Sequence, residues 1–188
     1  MNYSKLKLQY FHIESIEVKC YNNIKIHKEN NFMVNILERE LYTNLKNIKN
    51  YKKVCKLESL HFQHGTTTVY KHSRNVAYYS LLWAKRLEKM FHIKFNYKSL
   101  IAGAFLHDLF LYDWHQKDAS HKWHGYSHPL TASKNAKKMC DASEEITKII
   151  ETHMWPLTIT KVPRSKEAFL VCVIDKIMAV AETLRMIR

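Results

Sequence analysis

Apolar residues recur at helical spacing along most of this chain. Between Met33 and Lys56, residues Ile36, Leu37, Leu41, Leu45 and Ile48 keep to one face, and the spacing predicts a single amphipathic helix. A loop is expected over residues 58–66, around Gly65. Thr67 or Thr68 is suited to cap a long helix reaching about Phe91, with Val69, Val76, Tyr79, Leu82 and Trp83 on its apolar side. Asn96 is placed to cap a shorter helix through Leu106. Residues 109–127 are rich in His, Trp and Tyr and read as irregular. Pro129 fits the first position of the next helix, with His128 just before it and an end near Cys140. Asp141 and Glu144 have capping-box spacing for a helix ending near His153. Residues 154–164 hold Pro156 and Pro163 and read as a loop, after which Ser165 caps a final helix running almost to the end.

The first 32 residues follow a different pattern. Ile16, Val18 and Cys20 alternate with polar residues, and Ile24 and Ile26 do so again after Asn22-Asn23. Three readings stand side by side: a weak hairpin, a flexible extension, or sequence upstream of an effective start at Met33. The expected organisation is an N-terminal extension over residues 1–32 and one helical domain over residues 33–188.

Composition narrows the fold class. The 188 residues include only 3 glycines and 3 prolines. A sandwich or barrel needs a turn every ~8–12 residues, and these turn-formers are too few. The hydrophobic share is 46%, enough to build a core. An all-α bundle of six to seven helices is the expected fold.

The net charge of +13 favours anionic partners such as nucleotides, other phosphate esters, nucleic acid or anionic membrane surfaces. The basic residues are dispersed over solvated helix faces, however. No run of five Lys or Arg occurs, and no zinc-finger, basic-zipper or RNA-recognition motif is present, so no specific nucleic-acid partner is expected. Cys20, Cys55, Cys140 and Cys172 form no Cys-x-x-Cys pair, which argues against a zinc knuckle and a disulfide framework. Cys172 lies in the apolar run Phe169–Ile174 and reads as an inert buried thiol. No apolar stretch reaches the ~18 residues of a membrane span. A reducing, cytoplasmic setting without membrane contact is expected.

Six residues carry the candidate chemistry. His107-Asp108 ends the apolar helix Leu100–Leu106, where both side chains can enter one cavity. Asp175 interrupts an apolar helix, with Val171, Cys172, Met178 and Ala179 as its neighbours on the same face. An ionised carboxylate there costs several kcal/mol, roughly, unless it is ion-paired or coordinated. His72, His128 and His153 sit on helices or at helix ends. Each alone has an ordinary structural reading: a satisfied core histidine, a cap, a buried ion pair with Lys or Arg. Together, four imidazoles and two carboxylates suit one or two ions of Fe, Mn, Zn, Ni or Co.

This ordered set resembles the HD-domain superfamily of metal-dependent phosphohydrolases, whose defining order is His…His-Asp…Asp on a helical core. The matching residues are His72 in Tyr70-Lys-His-Ser-Arg-Asn-Val-Ala77, the doublet in Phe105-Leu-His-Asp108, and Asp175 in Val173-Ile-Asp-Lys176. The dinuclear branch adds two histidines between doublet and final Asp; His128 before Pro129 and His153 in Glu151-Thr-His-Met154 look like these. The resemblance covers about residues 60–188 and extends to small bacterial HD proteins with segments like residues 107–115 and 124–129. Similar six-ligand patterns occur in HD-type diadenosine tetraphosphate hydrolases and cyclic-di-GMP phosphodiesterases.

The resemblance implies hydrolysis of a nucleotide or other phosphate ester or anhydride by metal-activated water. Asp108 would bridge two ions or ligate one. His72, His107 and Asp175 would complete the first position, with His128 and His153 on the second. His124 or Asp113 would carry a proton or orient a ligand. Lys71 and Arg74, or Lys117 and Lys122, would bind phosphate. The alternatives are a di-iron oxygenase on the same ligands and a non-catalytic metal- or nucleotide-binding module. Two departures stand out. Leu109-Phe110-Leu111-Tyr112 follows the doublet where many members have Lys, and the Gly-Tyr-Pro element of cyclic-di-GMP enzymes is missing after His153.

Overall fold

Seven helices and one very short hairpin make up the described part of this computed structural model, which comprises residues 34–64, 67–111 and 124–184, without the side chains of His64 and His124. The expectations for residues 1–32 and for Asp113, Lys117 and Lys122 fall outside those residues, as does that for the His124 side chain. The chain divides into two units between residues 39 and 40. Apart from residues 34–39, everything below concerns the second.

The single helix expected from Met33 to Lys56 is broken in two. Helix α1 covers residues 34–46, and α2 covers Tyr51–Glu58. Between them Asn50 takes a left-handed backbone (φ 60), which asparagine tolerates better than most residues. Its side chain is tied far along the chain, donating to the Met139 carbonyl at 2.6 Å. The expected loop over residues 58–66 contains a hairpin of β1 (Phe62–His64) and β2 (Thr67–Thr68), paired antiparallel. Strand alternation turns Phe62 outward and buries Gln63.

Helix α3 (Val69–Phe91) is capped by Thr68, whose hydroxyl accepts from the Lys71 N–H at 3.3 Å. Its buried face is rotated from the expected one. Val69, His72, Ser73, Val76, Ala77, Ser80, Leu81 and Ala84 point inward. Tyr79 and Leu82 are half-buried, and Trp83 is exposed beneath the Arg86 guanidinium. Small side chains take the inner face because α3 packs closely on its neighbours α4 (Tyr97–Leu106) and α7 (Lys166–Thr183).

Helix α4 is the centre of the bundle, with every residue from Ser99 to Leu106 buried. Its first turn is held twice: Asn96 Oδ1 accepts from the Ser99 N–H, and the Asn96 N–H donates to the buried Glu167 of α7. Against it lies α6 (Glu144–Thr152). A Cβ on Gly103 would stand 2.7 Å from Ile149 Cγ2, so only glycine admits this approach.

Two capping expectations are corrected. Helix α5 runs His124–Cys140, so Pro129 lies inside it rather than at its first position, and His128 is not its cap. The proline removes one helical bond, the one its N–H would have made to Gly125. Helix α6 is capped by Ser143, whose hydroxyl accepts from the Ile146 N–H, rather than by Asp141. Asp141 is left-handed (φ 51) and pairs with Lys49 at 2.5 Å. Ser165 caps α7 as expected. Among the described residues no helix is long and apolar enough to cross a membrane.

Candidate metal centre

Five helices deliver six side chains to one place. His72 comes from the first turn of α3, and His107 and Asp108 come from the end of α4. His128 comes from α5, His153 from the end of α6, and Asp175 from the middle of α7. All six are buried, none more than 8% exposed. The expected alternative for Asp175, an ion pair with Lys or Arg, is not what surrounds it; its oxygen faces His72 and His107 at 3.1 and 3.4 Å.

Asp108 stands at the middle and divides its two oxygens. Oδ2 lies 3.3 Å from His107 Nε2 and 3.8 Å from His72 Nε2. Oδ1 lies 3.3 Å from His128 Nε2 and 3.7 Å from His153 Nε2. Donor atoms of three overlapping triplets come within 4.8 Å of one another: His72, His107 and Asp108; His107, His153 and Asp175; Asp108, His128 and His153.

The imidazoles are oriented from behind. His107 and His153 each occupy the residue just past a helix, and each donates from Nδ1 to the carbonyl three residues back, Ala104 and Ile150, both at 2.7 Å. Those carbonyls are left open by the helix end. The bond fixes the tautomer and presents Nε2 to the cluster. His72 is held instead by Glu182, whose carboxylate accepts from Nδ1 at 2.8 Å and also from Asn75 Nδ2.

Electrostatics in the cluster follow from this packing. Burial opposes charge on His72, but the Asp175 and Glu182 carboxylates outweigh it and push the ring up to about 9. Burial also opposes charge on His107, and Asp108 and Asp175 override it, holding the ring well above the usual range. Both aspartates are held well below the carboxylate range: against burial, His107 and His128 act on Asp108, and His107 and His72 on Asp175. His153 goes the other way, to about 3, through burial and then through His107 and His128. It is therefore neutral, and with its proton on Nδ1 its Nε2 accepts from His128 Nε2 at 2.9 Å.

This donor set fits a divalent transition metal. Two buried atoms, His107 Nε2 and Asp108 Oδ1, point into the cluster without a hydrogen-bond partner, a costly arrangement that coordination relieves.

Sequence reasoning missed three supporting residues. Glu182 lies two turns beyond Asp175 on α7 and is another buried carboxylate on an apolar helix, the signal that singled out Asp175. Lys176 donates to the His153 carbonyl at 2.7 Å and to Cys172, tying α7 to the end of α6. Gln63 donates to Asp108 Oδ2 at 2.5 Å. Glu58 is also buried close by. Its two carboxyl oxygens lack a hydrogen-bond partner, and burial, reinforced by Asp108 and opposed by His107, keeps it far above the usual range.

A cleft of about 590 Å3 opens onto the cluster at Asp108, His128, His153 and Asp175. Lys71 is exposed and Arg74 half-buried on α3, and neither lines this cleft. After the doublet, Leu109 and Phe110 turn into the core, and Asn135 donates to the Leu109 carbonyl. A second cleft of about 630 Å3, bordered by Asn44, Asn96 and Ser143, contains none of the six residues.

Residues 69–180, more than half of the chain, match the family model described as HD domain. No curated protein and no solved structure matches the chain.

Proposed function

Because this chain belongs to the HD domain family, we propose that it is a metal-dependent phosphohydrolase acting on a nucleotide or another phosphate ester or anhydride. The observation that carries this reading is Asp108, buried among four imidazoles with each oxygen turned to a different pair. A carboxylate so placed suits two ions, the count we assign. His72, His107 and Asp175 would hold one and His128 and His153 the other, with Asp108 shared. Divalent ions bound there supply Lewis acidity for phosphoryl oxygens and a water acidified toward hydroxide.

The chain's own groups do the rest. Glu182 and the Ala104 and Ile150 carbonyls hold the rings so that Nε2 of His72, His107 and His153 faces inward. Gln63 holds the Asp108 carboxylate by donating to its Oδ2. The cleft brings a phosphorylated small molecule to the side of the cluster formed by His128 and His153. No side-chain nucleophile is needed, in keeping with a sequence that lacks a Gly-x-Ser-x-Gly motif.

Elemental analysis coupled to a phosphate-release screen tests this. The purified protein is expected to carry about one to two transition-metal equivalents per chain and to release phosphate from a nucleotide or phosphate ester. His107→Ala and Asp175→Ala should abolish that release. Protein that stays metal-free after loading would overturn the centre, and bound iron with O2 consumption on an organic substrate would favour oxygenase chemistry.

A further inference from the structure

The cleft beside the metal centre has two unlike ends. One is the cluster itself. The other is a wall of Met154, Pro156, Leu157 and Ala179, with Leu157 43% exposed. The wall comes close to α5, where a Cβ on Gly125 would stand 3.1 Å from Leu157 Cδ2.

The polar groups between these ends are mostly acceptors. Gln63 is 8% exposed, and its amide is fixed by donation from Nε2 to Asp108, so the group left without a partner is the Oε1 acceptor. Asp108 and Asp175 are carboxylates. Among the described lining residues Lys176 is the one cation, and its ammonium already donates to the His153 carbonyl, the Cys172 carbonyl and the Cys172 thiol. Ions held by the cluster would serve one phosphoryl group. Further phosphates along a chain would meet acceptors and apolar carbons, where anionic oxygens are costly to bury.

From this we propose that the substrate is a phosphate monoester with a compact apolar organic group, its phosphoryl group at the His128–His153 side and its organic group on the Met154–Leu157 wall. The proposal rests on the hydrolase reading above and narrows it from esters and anhydrides in general to monoesters.

Two measurements on metal-loaded protein separate this inference from the reading it rests on. The first is kcat/KM for 1-naphthyl phosphate, glycerol 2-phosphate, ATP and diadenosine tetraphosphate. Naphthyl phosphate should exceed the other three by about tenfold or more, the equivalent of burying roughly two methylene groups. A polyphosphate as best substrate would overturn the monoester assignment, parity with glycerol 2-phosphate would overturn the apolar organic group, and either result would leave hydrolysis standing. The second is calorimetric binding of benzylphosphonate against methylphosphonate, which needs no turnover. Benzylphosphonate should bind about tenfold tighter, and Leu157→Asn should narrow that ratio, which an unfolded fraction of the sample does not alter. Equal affinities in the parent protein, or an unchanged ratio in the variant, would overturn the apolar subsite. Tight benzylphosphonate binding with no phosphate released from any ester would overturn hydrolysis alone.

Discussion

His72 sits between two carboxylates, Asp175 at Nε2 and Glu182 at Nδ1, and so carries both ring protons until a metal displaces one. The Nε2 proton is the one lost, since Nδ1 stays on Glu182. The sign of the pH dependence follows. Below about 9 the proton competes for Nε2, so metal affinity weakens as pH falls and strengthens as pH rises toward that value. Loading near pH 7 should release about two protons, from His72 and His107. Calorimetry in buffers of different ionisation enthalpy would read this number. Glu182→Gln removes the carboxylate while keeping an acceptor, and should lower metal affinity by about 10–100-fold in a chelator competition. At this scale Asp175 was legible because a carboxylate inside an apolar helix needs a partner. Gln63 was not, because a three-residue strand leaves almost no pattern to read.

Among elements, α4 sets the position of the doublet, and Gly103 sets the position of α4. Gly103→Ala would force the Ile149 side chain or the α4–α6 spacing to give, at a cost of about 1–3 kcal/mol. Chemical denaturation should show it as a lowered midpoint with an unchanged slope. Local signals placed most helix starts correctly, since Thr68, Asn96 and Ser165 cap through their own side chains. The misplacements have tertiary causes. Ser143 and Asp141 are comparable cap residues two positions apart, and Asp141 is drawn to Lys49, 92 residues away. The break at Asn50 is held by Met139, 89 residues away. The rotated face of α3 reflects close helix packing, which favours Ala and Ser over the larger apolar residues that hydropathy would choose.

The molecule as a whole gathers its site from five helices whose ligands span residues 72 to 175, so ions bind the folded chain far better than the unfolded one. At a metal concentration about a thousandfold above Kd the stabilisation is about 4 kcal/mol, or roughly 8–16 °C in melting temperature for a chain of this length. A thermal melt with and without metal, reversed by chelator, checks this. The charge of +13 acts over the same scale and would raise the encounter rate with an anionic substrate of the kind proposed, in a way that salt screens. The cleft reaches the centre through four of its six residues. Asp108, His128, His153 and Asp175 line it, whereas His72 and His107 are fully enclosed. A metal ion held by these residues would enter and leave by the cleft while the helices stay packed. Loading and stripping would then need no unfolding, and a chelator small enough for the cleft would empty the folded chain.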